Sequence, residues 1–137
     1  MFTRTRIVLY VIAVLILIQF IPVDRDNPDD HRGPDASPEV TAVLQRACYD
    51  CHSHETVWPW YSGVAPISWM VANDVHEGRK KLNLSTLQDI SPETQVKVRA
   101  KTLETIEKGD MPLWYYLPMH PKARLTEQDK AILRTWR

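Results

Sequence analysis

The sequence predicts an all-α domain preceded by a single membrane-spanning helix, and three observations carry that reading. Uncharged residues run unbroken from Ile7 to Ile21 as IVLYVIAVLILIQFI. Beyond residue 37, apolar side chains recur at three- and four-residue spacing behind Ser-Pro or Thr-led helix starts. No stretch alternates with period two between hairpin turns, and no internal repeat is visible. The 137 residues leave room for one small domain and an appendage. Its 17 basic and 17 acidic residues balance, so no global field favours nucleic acid as a partner.

The apolar run, extended by Pro22 and Val23, lies near the short end of the roughly 17 to 25 residues a spanning helix needs. Arg4 and Arg6 precede it, whereas Asp24, Asp26, Asp29 and Asp30 follow with only Arg25 and Arg32 for balance. That asymmetry places the N-terminus inside and exports the rest of the chain. A cleaved signal needs small residues at its cleavage site, and Gln19-Phe20-Ile21-Pro22-Val23 offers none, so residues 1–23 are expected to stay as an anchor. A buried core helix is disfavoured because the run is apolar on every face. Residues 24–37 (DRDNPDDHRGPDAS) carry too few apolar side chains to order themselves and read as a flexible linker.

The domain proper is expected over 38–137. Ser37 supplies an N-cap oxygen, Pro38 fits the first helical position, and Val40, Val43, Leu44 and Ala47 share one face of a short helix running into Cys48. The stretch Val57-Trp58-Pro59-Trp60-Tyr61-Ser62-Gly63 reads as a loop because of its Pro and Gly. A second helix follows Pro66, with Ile67, Met70, Val71 and Val75 on one face and Gly78 near its end. Ser91-Pro92 starts a third, continued by Val96, Ala100, Leu103 and Ile106 or Glu107 and stopped by Gly109. Thr126 with Asp129 approximates a capping box for a last helix that presents Ile132, Leu133 and Trp136 to the core.

The chemistry starts at the two cysteines, which stand three apart with a histidine directly after them: Cys48-Tyr49-Asp50-Cys51-His52. This spacing sets two thiols against the two vinyl groups of one haem and turns the adjoining imidazole to the iron as proximal ligand. One covalent haem c is therefore expected, attached through Cys48 and Cys51 and ligated by His52. A disulfide, a thioredoxin-like pair and a zinc site compete. The thioredoxin-like pair expects a βαβ setting, and a closed zinc site wants four ligands that this sequence does not supply.

For the sixth ligand, Met70, Met111, Met119, His54, His76 and His120 are candidates. Methionines in small helical proteins usually fill the core and histidines usually face solvent. Met111 stands apart because it sits between the helix-ending Gly109 and Pro112, which biases it away from helical backbone. Met111 is expected on the iron, with Met119 or His120 next; His54 is too close to the motif to reach the opposite face. Trp58, Trp60, Tyr61 and Trp69 are expected to wall the haem or donate to its propionates, a role that core packing explains nearly as well. Arg79, Lys80, Lys81 and Arg124 are candidate propionate partners beside a plainer reading as solvated charges.

The order of helix, CxxCH, aromatic loop, Gly109-Asp110-Met111-Pro112 and a final helix ending in Leu133-Arg134-Thr135-Trp136 resembles class I cytochromes c. In that class the terminal helices cross near the haem and a Met-Pro loop gives the sixth ligand. More closely, Cys48 to His54, Trp58-Pro59-Trp60-Tyr61-Ser62 and Ala65-Pro66-Ile67-Ser68-Trp69 resemble the small haem-binding domain family of bacterial exported proteins. Asp74 to Arg79, Leu82-Asn83 and Met111-Pro112 to His120-Pro121 extend the likeness over nearly all of Ser37 to Trp136. His54 stands where similar sequences often carry asparagine. The resemblance implies a cytochrome c-like helical domain around one haem, often with one membrane anchor.

The functional expectation is a monohaem carrier of single electrons in the periplasm, held in the bacterial inner membrane, with redox proteins as partners and no small-molecule substrate. Its alternative is a haem enzyme or sensor with an open distal side, peroxidase-like or gas-binding, which needs Met111 off the iron.

Overall fold

The computed structural model describes residues 3–136, and these fold into helices and turns without a strand. An apolar helix α1 (Arg4–Leu17) is followed by α2 (Pro38–Ala47), a single turn α3 (Tyr49–His52), α4 (Ile67–Lys81), α5 (Pro92–Glu107) and α6 (Glu127–Leu133). Short 3₁₀ turns lie at Ile18–Phe20, Trp60–Gly63, Leu87–Asp89 and Pro121–Ala123. The all-α class expected from the periodicities is what forms.

The helix starts carry the chemistry read from the sequence. Ser37 Oγ accepts from the Val40 N–H at 3.3 Å, and Ser91 Oγ from the Thr94 N–H at 3.4 Å, each with proline in the first turn. Thr126 and Asp129 form the full reciprocal capping box. Gly109 adopts φ +78°, which a side chain would resist, and there the chain leaves α5. The core joins α2, α3, α5, α6 and the segment after α4: Val40, Val43, Leu44, Tyr49, Leu84, Leu87, Ile106, Leu133 and Trp136 are buried together. Leu44, Leu84 and Leu133 are wholly buried, each stabilising by about 1.5–3 kcal/mol relative to exposure. α2 packs on α6, and Arg46 clamps the pair by an ion pair to Asp129 at 2.7 Å and a bond to the Lys122 carbonyl.

Helix α4 ends at Lys81, three residues past Gly78, and differs from its sequence reading in the face it buries: Val75 is buried with Ser68 and Gly78, whereas Ile67 and Met70 stand 45% and 49% exposed. The cause is the approach of α3. A Cβ on Gly78 would lie 2.5 Å from the Cys51 carbonyl oxygen, so glycine is what lets the two helices touch.

The N-terminal segment forms a shorter helix than the spanning one expected, and the helix by itself does not support a span. α1 has 14 residues, and with its 3₁₀ turn it reaches about 27 Å against a hydrocarbon core of about 30 Å. Among the described residues no helix is long and apolar enough to cross a membrane. Proline 22 is the physical reason, since it forces the preceding Ile21 into extended backbone (φ −76°, ψ 116°) and ends the helical ladder. The side chains of α1 remain open, from Ile7 at 51% to Leu17 at 65%.

Residues 24–37 form no helix, yet polar bonds hold them along the domain. Arg79 donates to the Asp26 carbonyl and the Asn27 side chain at 2.7 Å each, His54 Nδ1 to the Asp30 carbonyl at 3.1 Å, and the Trp136 indole to the Asp35 carbonyl at 3.3 Å. Hydrogen bonding to side chains of the domain gives this stretch the order that its composition alone does not.

Candidate functional site

Cys51 and His52 lie in the turn α3, and Cys48 caps its start, where the Cys48 N–H closes α2 on the Leu44 carbonyl at 2.8 Å. Both cysteines carry free thiols, and burial pushes each up to about 12, so they stay protonated. His52 is held from behind: its Nδ1 lies 2.9 Å from the Gly78 carbonyl oxygen and 3.0 Å from that of Leu82. Carbonyls only accept, so Nδ1 carries the proton and Nε2 keeps its lone pair for a ligand. Burial lowers the His52 pKa while the bonds to Leu82 and Gly78 oppose it, and the imidazole is neutral. The Leu84 N–H donates to the His52 carbonyl at 2.7 Å, fixing the same turn from its other end.

Two adjoining lobes open beside this turn. One, of about 310 Å³, is lined by Cys48, Cys51, His52, Met111, Pro112 and Leu113 together with residues of α4. The second, of about 290 Å³, is lined by Trp60, Tyr61, Ile67, Met70, Met119 and His120 among others. Asp50, Cys51, Asp74, Tyr115 and Tyr116 border both. The Tyr115 hydroxyl donates to Asp74 at 3.1 Å at that common border, and the Tyr116 hydroxyl to Asp50 at 2.6 Å. Asp50 also accepts from the Val57 N–H at 3.1 Å, so it ties the aromatic loop to the motif. The Tyr116 hydroxyl is held strongly protonated by burial and by the Asp50 carboxylate.

Of the residues expected from the sequence, Cys48, Cys51, His52 and Met111 therefore share one lobe, and Trp60 and Tyr61 share the other with Cys51. Trp58 lines neither. It borders a separate cavity with Asp24, Asp26, His76 and Arg79, and its buried indole N–H has no hydrogen-bond partner. Among the other histidines, His54 has both ring nitrogens engaged, with the Asp30 carbonyl and with Asn83 Nδ2 at 2.7 Å. His120 stacks on Tyr116 at 3.8 Å and bonds the Tyr116 carbonyl at 3.1 Å, with the Tyr61 hydroxyl 3.4 Å from its ring nitrogens. Arg79 makes four bonds within the protein, to Ser53, Asp26, Asn27 and Thr56. That commitment removes it from the candidate propionate partners.

The sequence reading missed Asp50, Asp74 and above all Gly78, whose carbonyl holds the imidazole. A glycine inside a helical pattern was the available signal, because it often marks a close approach. Among the described residues no group of three or more His, Cys, Asp or Glu stands where it could hold a metal ion, which counts against the zinc alternative. The donor set fits haem: two adjacent free thiols, a neutral imidazole with one nitrogen anchored, and largely apolar lobes on either side of Cys51.

The family model described as a haem-binding domain matches residues 13–137. No curated protein and no solved structure matches the chain.

Proposed function

The chain belongs to the haem-binding domain family, and on that premise we propose that it is a membrane-tethered, periplasmic monohaem c-type cytochrome that carries single electrons. The observation that supports it most directly is the anchoring of His52 Nδ1 on two carbonyls beside two free thiols. Bound there, haem supplies one-electron chemistry between ferrous and ferric iron. The Cys48 and Cys51 thiols would hold the haem, each by adding S–H across one vinyl group, with a C–S bond formed, the proton placed on carbon and no oxidant consumed. His52 would hold the iron through Nε2, and its donated Nδ1–H raises the basicity of that nitrogen. Met111, in the same lobe, would offer its thioether to the iron as a second protein ligand and so close it to substrates. Trp60 and Tyr61 contribute apolar wall from the neighbouring lobe. Redox proteins are the partners. The exposed apolar side chains of α1 and the flanking Arg4 and Arg6 favour a tether with the domain outside.

Protein made with a c-type maturation system is expected to carry one haem that survives acid and organic extraction, read by intact mass. Changing Met111 to Ala is expected to abolish the far-red charge-transfer band and admit carbon monoxide to the reduced protein, while Met119→Ala, Met70→Ala and His120→Ala leave the band in place. An unmodified chain defeats the covalent reading. Carbon monoxide uptake by the unaltered protein defeats the carrier reading and favours an open distal side for enzyme or sensor work.

A further inference from the structure

Gln19 is the one amide side chain in the run Ile7 to Ile21, and it bonds to the domain as well as to its own helix. Its Oε1 accepts from the Ala65 N–H at 3.0 Å, and its Nε2 donates to the Ala65 carbonyl at 3.1 Å and to the Leu15 carbonyl at 2.8 Å. Both backbone groups of one residue 46 positions away are thus held by one amide. That pairing sets the end of the apolar segment against the stretch around Ala65. The same stretch displays Trp60 at 77% exposure, Val64 at 43%, Ile67 at 45%, Trp69 at 38% and Met70 at 49%. Trp60, Ile67 and Met70 also line the apolar lobe, whereas Val64 and Trp69 line neither lobe. These two are apolar surface that the cofactor cleft leaves open.

We propose that the face around Val64 and Trp69, fixed to α1 through Gln19 and Ala65, seats in the lipid headgroup region, so that the apolar lobe opens at the bilayer surface. The occupant is lipid because Gln19, at the end of the exposed apolar segment, is bonded to Ala65, which stands directly beside exposed Val64 in the chain. Tryptophan, with an apolar ring and a polar N–H, suits that depth. Arg25, whose guanidinium lies 3.5 Å from where a Cβ on Gly63 would stand, puts a cation at the same level for lipid phosphate. The inference rests on the membrane-tether reading.

The test uses the full-length holoprotein in phosphatidylglycerol and phosphatidylethanolamine vesicles containing a lipid with a headgroup-level diazirine. Flotation reads the tether, and mapping of photo-cross-linked peptides reads the seat. Flotation with cross-links in residues 60–69 and none in residues 92–107 is the expected result. Gln19→Ala is expected to keep flotation and haem content while losing the cross-links in 60–69. Flotation with cross-links confined to residues 4–23 overturns the seat and leaves the tether standing. Cross-links in 60–69 that persist in Gln19→Ala overturn the role of the bridge, and failure to float overturns the tether and the seat together.

Discussion

At the scale of single residues, Gly78 governs the site although it contributes no side chain to it. Its missing Cβ allows α4 to reach the Cys51 carbonyl, and that approach delivers the Gly78 oxygen to His52 Nδ1. Substituting Ala places a methyl 2.5 Å from a backbone oxygen that cannot rotate away. The expected cost is about 1–3 kcal/mol, as for overpacking elsewhere, read as a lower urea midpoint of the holoprotein. Loosening the imidazole bond also removes electron density from the nitrogen proposed as the iron ligand, so the midpoint potential is expected to rise. A Gly78→Ala protein with unchanged midpoint and unchanged potential would show that the contact is slack. The cysteine spacing was legible in the sequence because it is local chemistry. The acceptor of the histidine proton was not, because it lies 26 residues away and is a main-chain atom that any residue type supplies.

At the scale of elements, the caps were readable and the faces only partly so. Ser37, Ser91 and Thr126 start their helices as read, since a cap is decided by a side chain and a backbone group within one turn. Asp129 makes the last cap pH-sensitive. Burial works to raise its pKa, but the Thr126 N–H, the Thr126 hydroxyl and Arg46 outweigh it and hold the carboxyl below its ordinary 3.8. A depressed carboxylate contributes stability that is fully present above the unfolded value and is lost as pH falls through the folded one. Thermal melts between pH 6 and about pH 3 are therefore expected to fall less in Asp129→Asn than in the unaltered chain. Thr126→Ala is expected to cost about 1 kcal/mol at neutral pH. Identical pH slopes for the two proteins would remove Asp129 from the account. Helix α4 shows the limit of periodicity, because Ile67 and Met70 sit at core-like spacing and yet face an open lobe.

At the scale of the whole molecule, the proposed tether with the domain outside rests on the arginines before the apolar run and the exposed sides of α1. A periplasmic reporter fused after Arg137 is expected to be active, with the protein kept in the membrane fraction at high salt. Activity of a cytoplasmic reporter at the same junction would reverse the orientation. By itself the sequence determined the helical class, the helix starts and the thiol-thiol-imidazole motif, because capping, apolar period and ligand spacing are all written within a turn or two of chain. Only the tertiary structure decided that Met111 shares a lobe with His52 while Trp58 is turned to another cavity, that Arg79 is consumed by residues 24–37 and the loop after α3, and that Gln19 grips Ala65. Each of these depends on where elements far apart in sequence come to rest. Backbone carbonyls and exposed rims carry no residue-type signature from which that placement could be read.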